Sequence, residues 1–410
     1  MAIKAADVIH TGRGSYLLSR LQSVGPGGLQ IPTETIRETG NYKSVAILRD
    51  TPDLSFSMNS FDVSTTLEQM LTDTASVTSA GIDMTFLKPV SILGQIKPGV
   101  TAAAPFAVVR SVACPTLYPE RISYRFGVQQ TSTVDVTLRG DSIFYCPGPA
   151  FQQITAGTNT ANQAIVLTNP AGEYTLQGTD TRVLSVDVDG QRLVEGADFT
   201  AVAAAPGDAF SSTTVTILTA VPATSKITVV YFSNAALSYL QSVHPLASVL
   251  PAANKGRDVR IYIGATYDPA DPAASAAFRW SGVQSATVDL STTITRDYEL
   301  GNPSAVTTEP EDTPTLSGVI GLRARNATEL FTRLRQITGV SDVDKAIGPD
   351  SAVELDLDIV ALDQEGNVHK RLHISDARFS VPGYNAQVGQ RVDFDLNWSS
   401  DTGTLTVFSE

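Results

Sequence analysis

The chain repeats itself. Leu29–Arg37 (LQIPTETIR) matches Val288–Arg296 (VDLSTTITR), and Gly40-Asn41 returns as Gly301-Asn302 with a two-residue difference in length. Asp50–Ser55 (DTPDLS) returns as Asp312–Ser317 (DTPTLS). Further on, AGIDMTF (Ala80–Phe86) is matched to AVELDLDI (Ala352–Ile359), and TVDVTL (Thr133–Leu138) to RVDFDL (Arg391–Leu396). The order never changes, and the span from Leu29 to Leu138 is 109 residues where that from Val288 to Leu396 is 108. A duplication on this scale restricts the fold more than any single motif, since one unit must serve twice. It predicts two homologous domains, each with strands, one helix and further strands.

The helix of each copy is announced by its start. Thr65-x-x-Glu68 in the first and Asn326-x-x-Glu329 in the second read as capping boxes, in which the cap oxygen and the Glu satisfy orphan N–H groups reciprocally. The second helix carries Leu330, Phe331, Leu334 and Ile337 on one face and stops at Gly339. The first is shorter, with Leu67, Met70 and Leu71.

Between the copies, residues 152–234 have no counterpart. TRVLSVDVDGQRLVEGADFTAV alternates around Asp189-Gly190, a hairpin dipeptide, and the β-branched runs TTVTILTAV and SKITVVYF follow. Several short strands in some 80 residues suggest a small immunoglobulin-like sandwich, inserted and facing outward. The expected division is 1–151 for the first repeated domain, 152–234 for the insertion and 235–410 for the second. The Ala/Pro-rich stretches 97–115 and 268–277 are expected to be loops. The fold class is therefore mainly β: two β-sandwich domains, each with a flanking helix, and an inserted sandwich.

Charge narrows the functional classes. Lys and Arg number 29 against 42 Asp and Glu, for a formal −13, which opposes the cationic neutralisation that gripping a phosphate backbone requires. Charged residues are only 17% of the chain, which suits β structure with neutral polar faces. No secretory signal is expected at the N-terminus, and no run approaches the roughly 20 apolar residues of a membrane span. Cys114 and Cys146 are too few for a disulfide framework and stand in no metal-binding cluster.

Catalytic signatures are missing: the sequence has no HExxH, Walker A or GxSxG. Of His10, His244, His369 and His373, only the last two are close, and on a strand i and i+4 lie roughly 13 Å apart, too far to share a metal ion. They are expected to be solvated. TGRGS and VGPGGL read as turns, as does Asp187-x-Asp189-Gly190, which lacks the remaining calcium ligands. Arg139-Gly140-Asp141 spells an adhesion tripeptide but closes a strand. No enzyme, metal or cofactor is expected.

Acids at alternate strand positions carry the one candidate surface. Glu354, Asp356 and Asp358 share a face opposite Leu355, Leu357 and Ile359, and Asp393 and Asp395 do the same opposite Val392, Phe394 and Leu396. Such a face is either ordinary solvated surface or the wall of an acidic channel.

Taken together, the strand, Gly-Asn turn, DTPxLS, capped helix and closing GYNAQVGQRVDFDLNWSSDTGTLTVF (Gly383 onward), twice over, resemble the tail tube proteins of long-tailed, siphovirus-like bacteriophages. The resemblance implies a sandwich with one helix, six of which close into a ring around the DNA path. Most members carry one such domain per chain; two per chain, as in the duplicated subclass, imply trimeric, pseudo-hexameric rings. It further implies stacking into a tube, contact with the tape measure, terminator and distal tail proteins, a place in the virion tail after assembly in the host cytoplasm, and DNA passing without specific binding. An acidic lumen would let DNA slide, since contact releases no counterions. The competing classes are a carbohydrate-binding or adhesive protein, which wants an aromatic platform where aromatics are 7%, a β-rich hydrolase, which wants a convergent acid pair, and a tail hub or baseplate component built from the same domain.

Overall fold

The computed structural model describes residues 4–10, 15–17, 21–30, 33–36, 46–49, 52–61, 64–74, 77–97, 110–146, 149–156, 161–167, 183–189, 191–202, 214–232, 255–297, 307–310, 314–324, 332, 334–337, 354–363, 366–380, 392–400 and 404–409. Strand alternation builds its main sheet. Val134, Val136 and Leu138 of Thr133–Gly140 are buried and the residues between them are not, except at the terminal Gly140. Asp53–Phe61 buries Leu54, Phe56 and Met58 in the same way. A one-residue slip would turn every one of these side chains into water, so the register is firmly set.

Seven strands follow one another, all antiparallel: Leu21–Gln30, Asp53–Phe61, Thr133–Gly140, the C-terminal half of Arg110–Gly127, Val283–Ser291, Thr315–Ala324 and Val392–Ser400. The first four belong to the first copy and the last three to the second. The N-terminal half of Arg110–Gly127 pairs instead with Val90–Lys97, which pairs with Lys4–His10. In the second copy Val368–Phe379 pairs with Glu354–Leu362, which pairs with Val259–Ile263. One hydrophobic cluster runs through both copies, from Leu54, Met70 and Tyr124 to Ile320, Leu357 and Trp398.

These pairings correct the internal alignment. The counterpart of Glu354–Leu362 is Val90–Lys97, since both pair with the long strand of their copy, whereas Ile82–Asp83 pairs with Leu405–Phe408. The other matched strands slide by two residues: Leu54 faces Leu29 and Leu316 faces Leu290, although the sequences equate Leu29 with Val288. Two residues are one period of a strand, so the slide keeps every face and sequence alternation cannot register it. The cross-strand pair Phe56–Leu138 of the first copy becomes Gly318–Trp398 in the second. A Cβ on Gly318 would lie 2.6 Å from the Trp398 ring, so the large side chain has changed strands while the volume is kept.

The first helix, Thr66–Thr72, buries Leu67, Met70 and Leu71 and ends at Asp73 with φ 56°. Thr65 stands at its N-cap, but its side chain makes no cap hydrogen bond, and Glu68 does not turn back to it. The expected capping box is absent because Glu68 is fully buried and engaged elsewhere, as described below. In the second copy Thr332 and 334–337 are helical, with Leu334 and Ile337 buried; Asn326, Glu329, Leu330, Phe331 and Gly339 lie outside the described residues. The stretches expected as loops are partly regular, since Arg110–Gly127 begins inside 97–115 and Pro272–Ser275 forms a short helix whose N-cap, Asp271, accepts from the Ala274 N–H.

The inserted segment makes two small sheets. One orders Pro149–Thr155, Lys226–Phe232, Val183–Val188 and Gln191–Arg192; the other orders Gln163–Val166, Thr214–Ile217 and Phe199–Val202. They enclose a separate core that includes Ile165, Val186, Phe199, Val215, Ile217, Val229 and Tyr231. The hairpin at Asp189, φ 50°, pairs Asp187 with Arg192. Its contacts with the first copy include Thr116 Oγ1 donating to Asp187 Oδ1 at 2.8 Å, and Arg192 Nη1 donating to Asp141 Oδ1 at 2.7 Å and to Ser142 Oγ at 2.9 Å.

Candidate functional site

The seven-strand sheet has one apolar and one polar face. In register, Met58, Val136, Ile122, Leu290 and Leu316 form a buried row across five strands. On the other face the row is Ser23, Asn59, Asp135, Ser123, Asp289, Ser317 and Ser399, one residue from each of seven strands. The next row is Gly25, Ser57, Thr137, Arg121, Ser291 and Thr315. Hydroxyls, one amide, carboxylates and guanidinium groups thus pave a surface continuous across both copies.

Its charges are paired between neighbouring strands. Arg121 Nη2 lies 2.8 Å from Asp289 Oδ1 across the seam between the copies, and Arg125 Nε lies 3.1 Å from Asp135 Oδ2, with Asn59 also donating to Asp135. Arg323 donates through Nε and Nη2 to the two oxygens of Asp393, at 2.7 and 2.9 Å. At one end of the face Arg139 bonds Glu120 at 3.0 Å and Asp53 at 2.7 Å, and Arg296 of the second copy reaches the same Asp53 at 3.2 Å. Hydrogen bonds donated to Glu120 and to Asp393 are the main cause that raises the Arg139 and Arg323 pKa values above the usual range. Arg139 and Asp141 are therefore both engaged inside the chain, which leaves the adhesion tripeptide no free charge pair.

The five candidate acids do not share one wall. Asp393 and Asp395 are exposed on the polar face of the seven-strand sheet, Asp395 directly opposite Gly321. Glu354 is exposed on another strand and pairs with Arg378 at 2.5 Å, and Asp356 accepts from Thr266 Oγ1. Asp358 is fully buried, a correction to the expected acidic face. Its carboxylate takes the Tyr267 backbone N–H, lies 2.8 Å from His373 Nδ1 and has Arg371 at 3.9 Å. Alternation correctly gives the side of the strand, but Tyr262, Tyr267, Val360 and Leu362 cover that side with a small cluster of their own. His373 is accordingly half-buried, and its hydrogen bond to Asp358 raises its pKa against the opposing effect of burial.

A second buried ion pair is invisible to sequence reasoning. Lys370 Nζ lies 2.6 Å from Glu68 Oε1 and also reaches the Ser64 carbonyl, while Tyr124 donates its hydroxyl to the same Glu68 oxygen at 2.7 Å. It joins the first helix to a strand of the second copy. Burial pushes the Cys114 thiol up to about 12, so it is inert. Trp280 and Trp398 are buried and offer no aromatic platform. Among the described residues no three His, Cys, Asp or Glu are grouped to hold a metal ion, and no helix is long and apolar enough to cross a membrane.

No protein-family model and no curated protein matches the sequence. Among solved structures, the chain is similar to the tube-terminating cap of the anti-feeding prophage, determined by electron cryo-microscopy, at 11% identity and a TM-score of 0.27, over 41% of this chain and 98% of that one. A likeness at that level carries no argument about function.

Proposed function

We propose that the chain is a structural protein of a phage tail, which closes by strand addition into rings that stack as the hollow tube through which DNA passes. The observation that carries this reading is the seam between the copies. There Arg121–Gly127 of the first copy pairs antiparallel with Ser285–Ser291 of the second. Leu21–Gln30 holds in the first copy the place that Val283–Ser291 holds in the second, each pairing with the DTPxLS strand of its own copy. Among the described strands, Leu21–Gln30 has its registered ladder with Asp53–Phe61 and with no other strand.

An open edge in a sheet of this size invites a strand from another chain. Repeating the internal seam would join the second copy of one chain to the first copy of the next, a head-to-tail contact that closes into a ring when the rotation allows. Six units, the number the resemblance implies, come from three chains. The polar face then lines the DNA path, the inserted sandwich stands outside, and the tape measure, terminator and distal tail proteins are the expected neighbours in the virion. No step of this role requires chemistry. Electron microscopy of the purified chain tests it: rings or hollow filaments are expected, discrete rings alone would favour a hub or terminator, and solitary chains would end the proposal.

A further inference from the structure

We infer that the arginines of the polar face are masked, so that the wall offers a DNA duplex almost no net charge of either sign; the inference rests on the assignment of this face to the DNA path. Within the two registered rows and their neighbours the cations are Arg121, Arg125 and Arg323, with Arg139 at the end, and no lysine occurs on the seven strands. Each guanidinium has a carboxylate of an adjacent strand within 3.1 Å. Asp135, Asp289 and Asp393 are used up in this way, leaving Asp395 as the one acid of these rows without a cation among the described residues. The chain's formal −13 therefore lies mostly elsewhere.

The consequence for a polyanion follows from counterion exchange. A phosphate gains by binding Arg chiefly because mobile counterions are released. Here the counterion is a carboxylate fixed on the next strand, which cannot leave, and a phosphate that approaches Arg121 must also approach Asp289. Arginine suits the task, because its planar fork holds a carboxylate through two parallel bonds, as at Asp393, whereas an ammonium on a flexible stem swings free. A wall of unpaired acids would also avoid grip, but Asp135 and Asp289 both flank Ser123 in one row, and like charges so close in a sheet destabilise it. Pairing removes both the repulsion and the grip, and at Arg121–Asp289 it ties the seam.

The test unmasks the arginines with near-isosteric changes. Asp135→Asn, Asp289→Asn and Asp393→Asn are combined in the full chain, and a control carries Asp189→Asn, Glu195→Gln and Asp268→Asn, the same charge change away from the face. Binding of a short DNA duplex is read by fluorescence anisotropy against salt. The unmasked variant is expected to bind at least roughly tenfold tighter than wild type at low salt, with a log–log salt slope steeper by about 1 to 3, and the control to behave as wild type. Asp289→Asn alone, which frees only Arg121, is expected to steepen the slope by about 1, and it serves if the triple variant folds poorly. Binding no tighter than the control, or equal binding by wild type, would overturn the masking. In rings, the captured duplex should resist nuclease; captured DNA that stays nuclease-sensitive would keep the masking and remove the face from the lumen, and absent rings would count against the tube alone.

Discussion

Glu68 and Lys370 show how a side chain can serve a purpose its sequence context conceals. Glu68 stands three residues after a Thr, the spacing of a capping box, yet it is buried with Lys370 and Tyr124 where the copies meet. Breaking a buried pair strands a charge, so Lys370→Met is predicted to cost about 3–5 kcal/mol in chemical denaturation. The triple change Glu68→Leu, Tyr124→Phe and Lys370→Met leaves no buried charge unpaired, at the cost of the Lys370 bond to the Ser64 carbonyl, and should recover most of that loss. A triple variant as unstable as the single one would mean that the cost comes from packing. The pair could not be read in advance because Lys370 sits in the run His369-Lys370-Arg371, whose polarity signals an exposed strand, while the covering residues come from the other copy. Asp358 misled differently: its period was right, but Val360 and Leu362 of its own strand join Tyr262 and Tyr267 in a cluster on that side.

At the scale of elements, the β-branched runs and the Asp-Gly turn of the inserted segment signalled strands and a hairpin, and Val183–Val188, Thr214–Ile217 and Lys226–Phe232 are strands, with a φ of 50° at Asp189. The contact that docks the segment was not visible. Asp187 is buried at that junction, and burial pushes its carboxyl up to about 7, opposed by Arg192 and by the hydroxyls of Thr116 and Ser185 and reinforced by Asp141. The folded protein therefore holds a proton that the unfolded chain, with an Asp near 4, releases. Stability from this group is full below about pH 4, declines as pH rises to about 7 and is then level, on the order of 4 kcal/mol in all. Melting of the inserted sandwich should accordingly fall in Tm between pH 5 and pH 8, and Asp187→Asn should flatten that fall; an unchanged slope in the variant would place the titrating group elsewhere. Because the insertion has its own core, replacing residues 152–234 with a short Gly/Ser bridge is predicted to leave ring formation intact and to thin the outline in micrographs. Loss of assembly in a folded deletion would contradict this.

For the whole molecule, duplication was the feature the sequence displayed most openly, because DTPDLS and DTPTLS, followed by Thr65-x-x-Glu68 and Asn326-x-x-Glu329, recur in the same order. What alternation could not supply was the way the units join, since a strand's partner across a seam leaves no mark within either strand. The two-residue slide between copies escaped for a related reason, as it preserves every face. The net charge was likewise legible only in total: −13 suggested an acidic wall, whereas the polar face pairs nearly all of its acids with arginines. The central claim is that the internal seam is repeated between chains, and native mass measurement of an unstacked ring tests it most directly. Two units per chain predict three chains of 43.5 kDa in each ring, and a ring of six chains, or a chain that stays single at assembly concentrations, would contradict it.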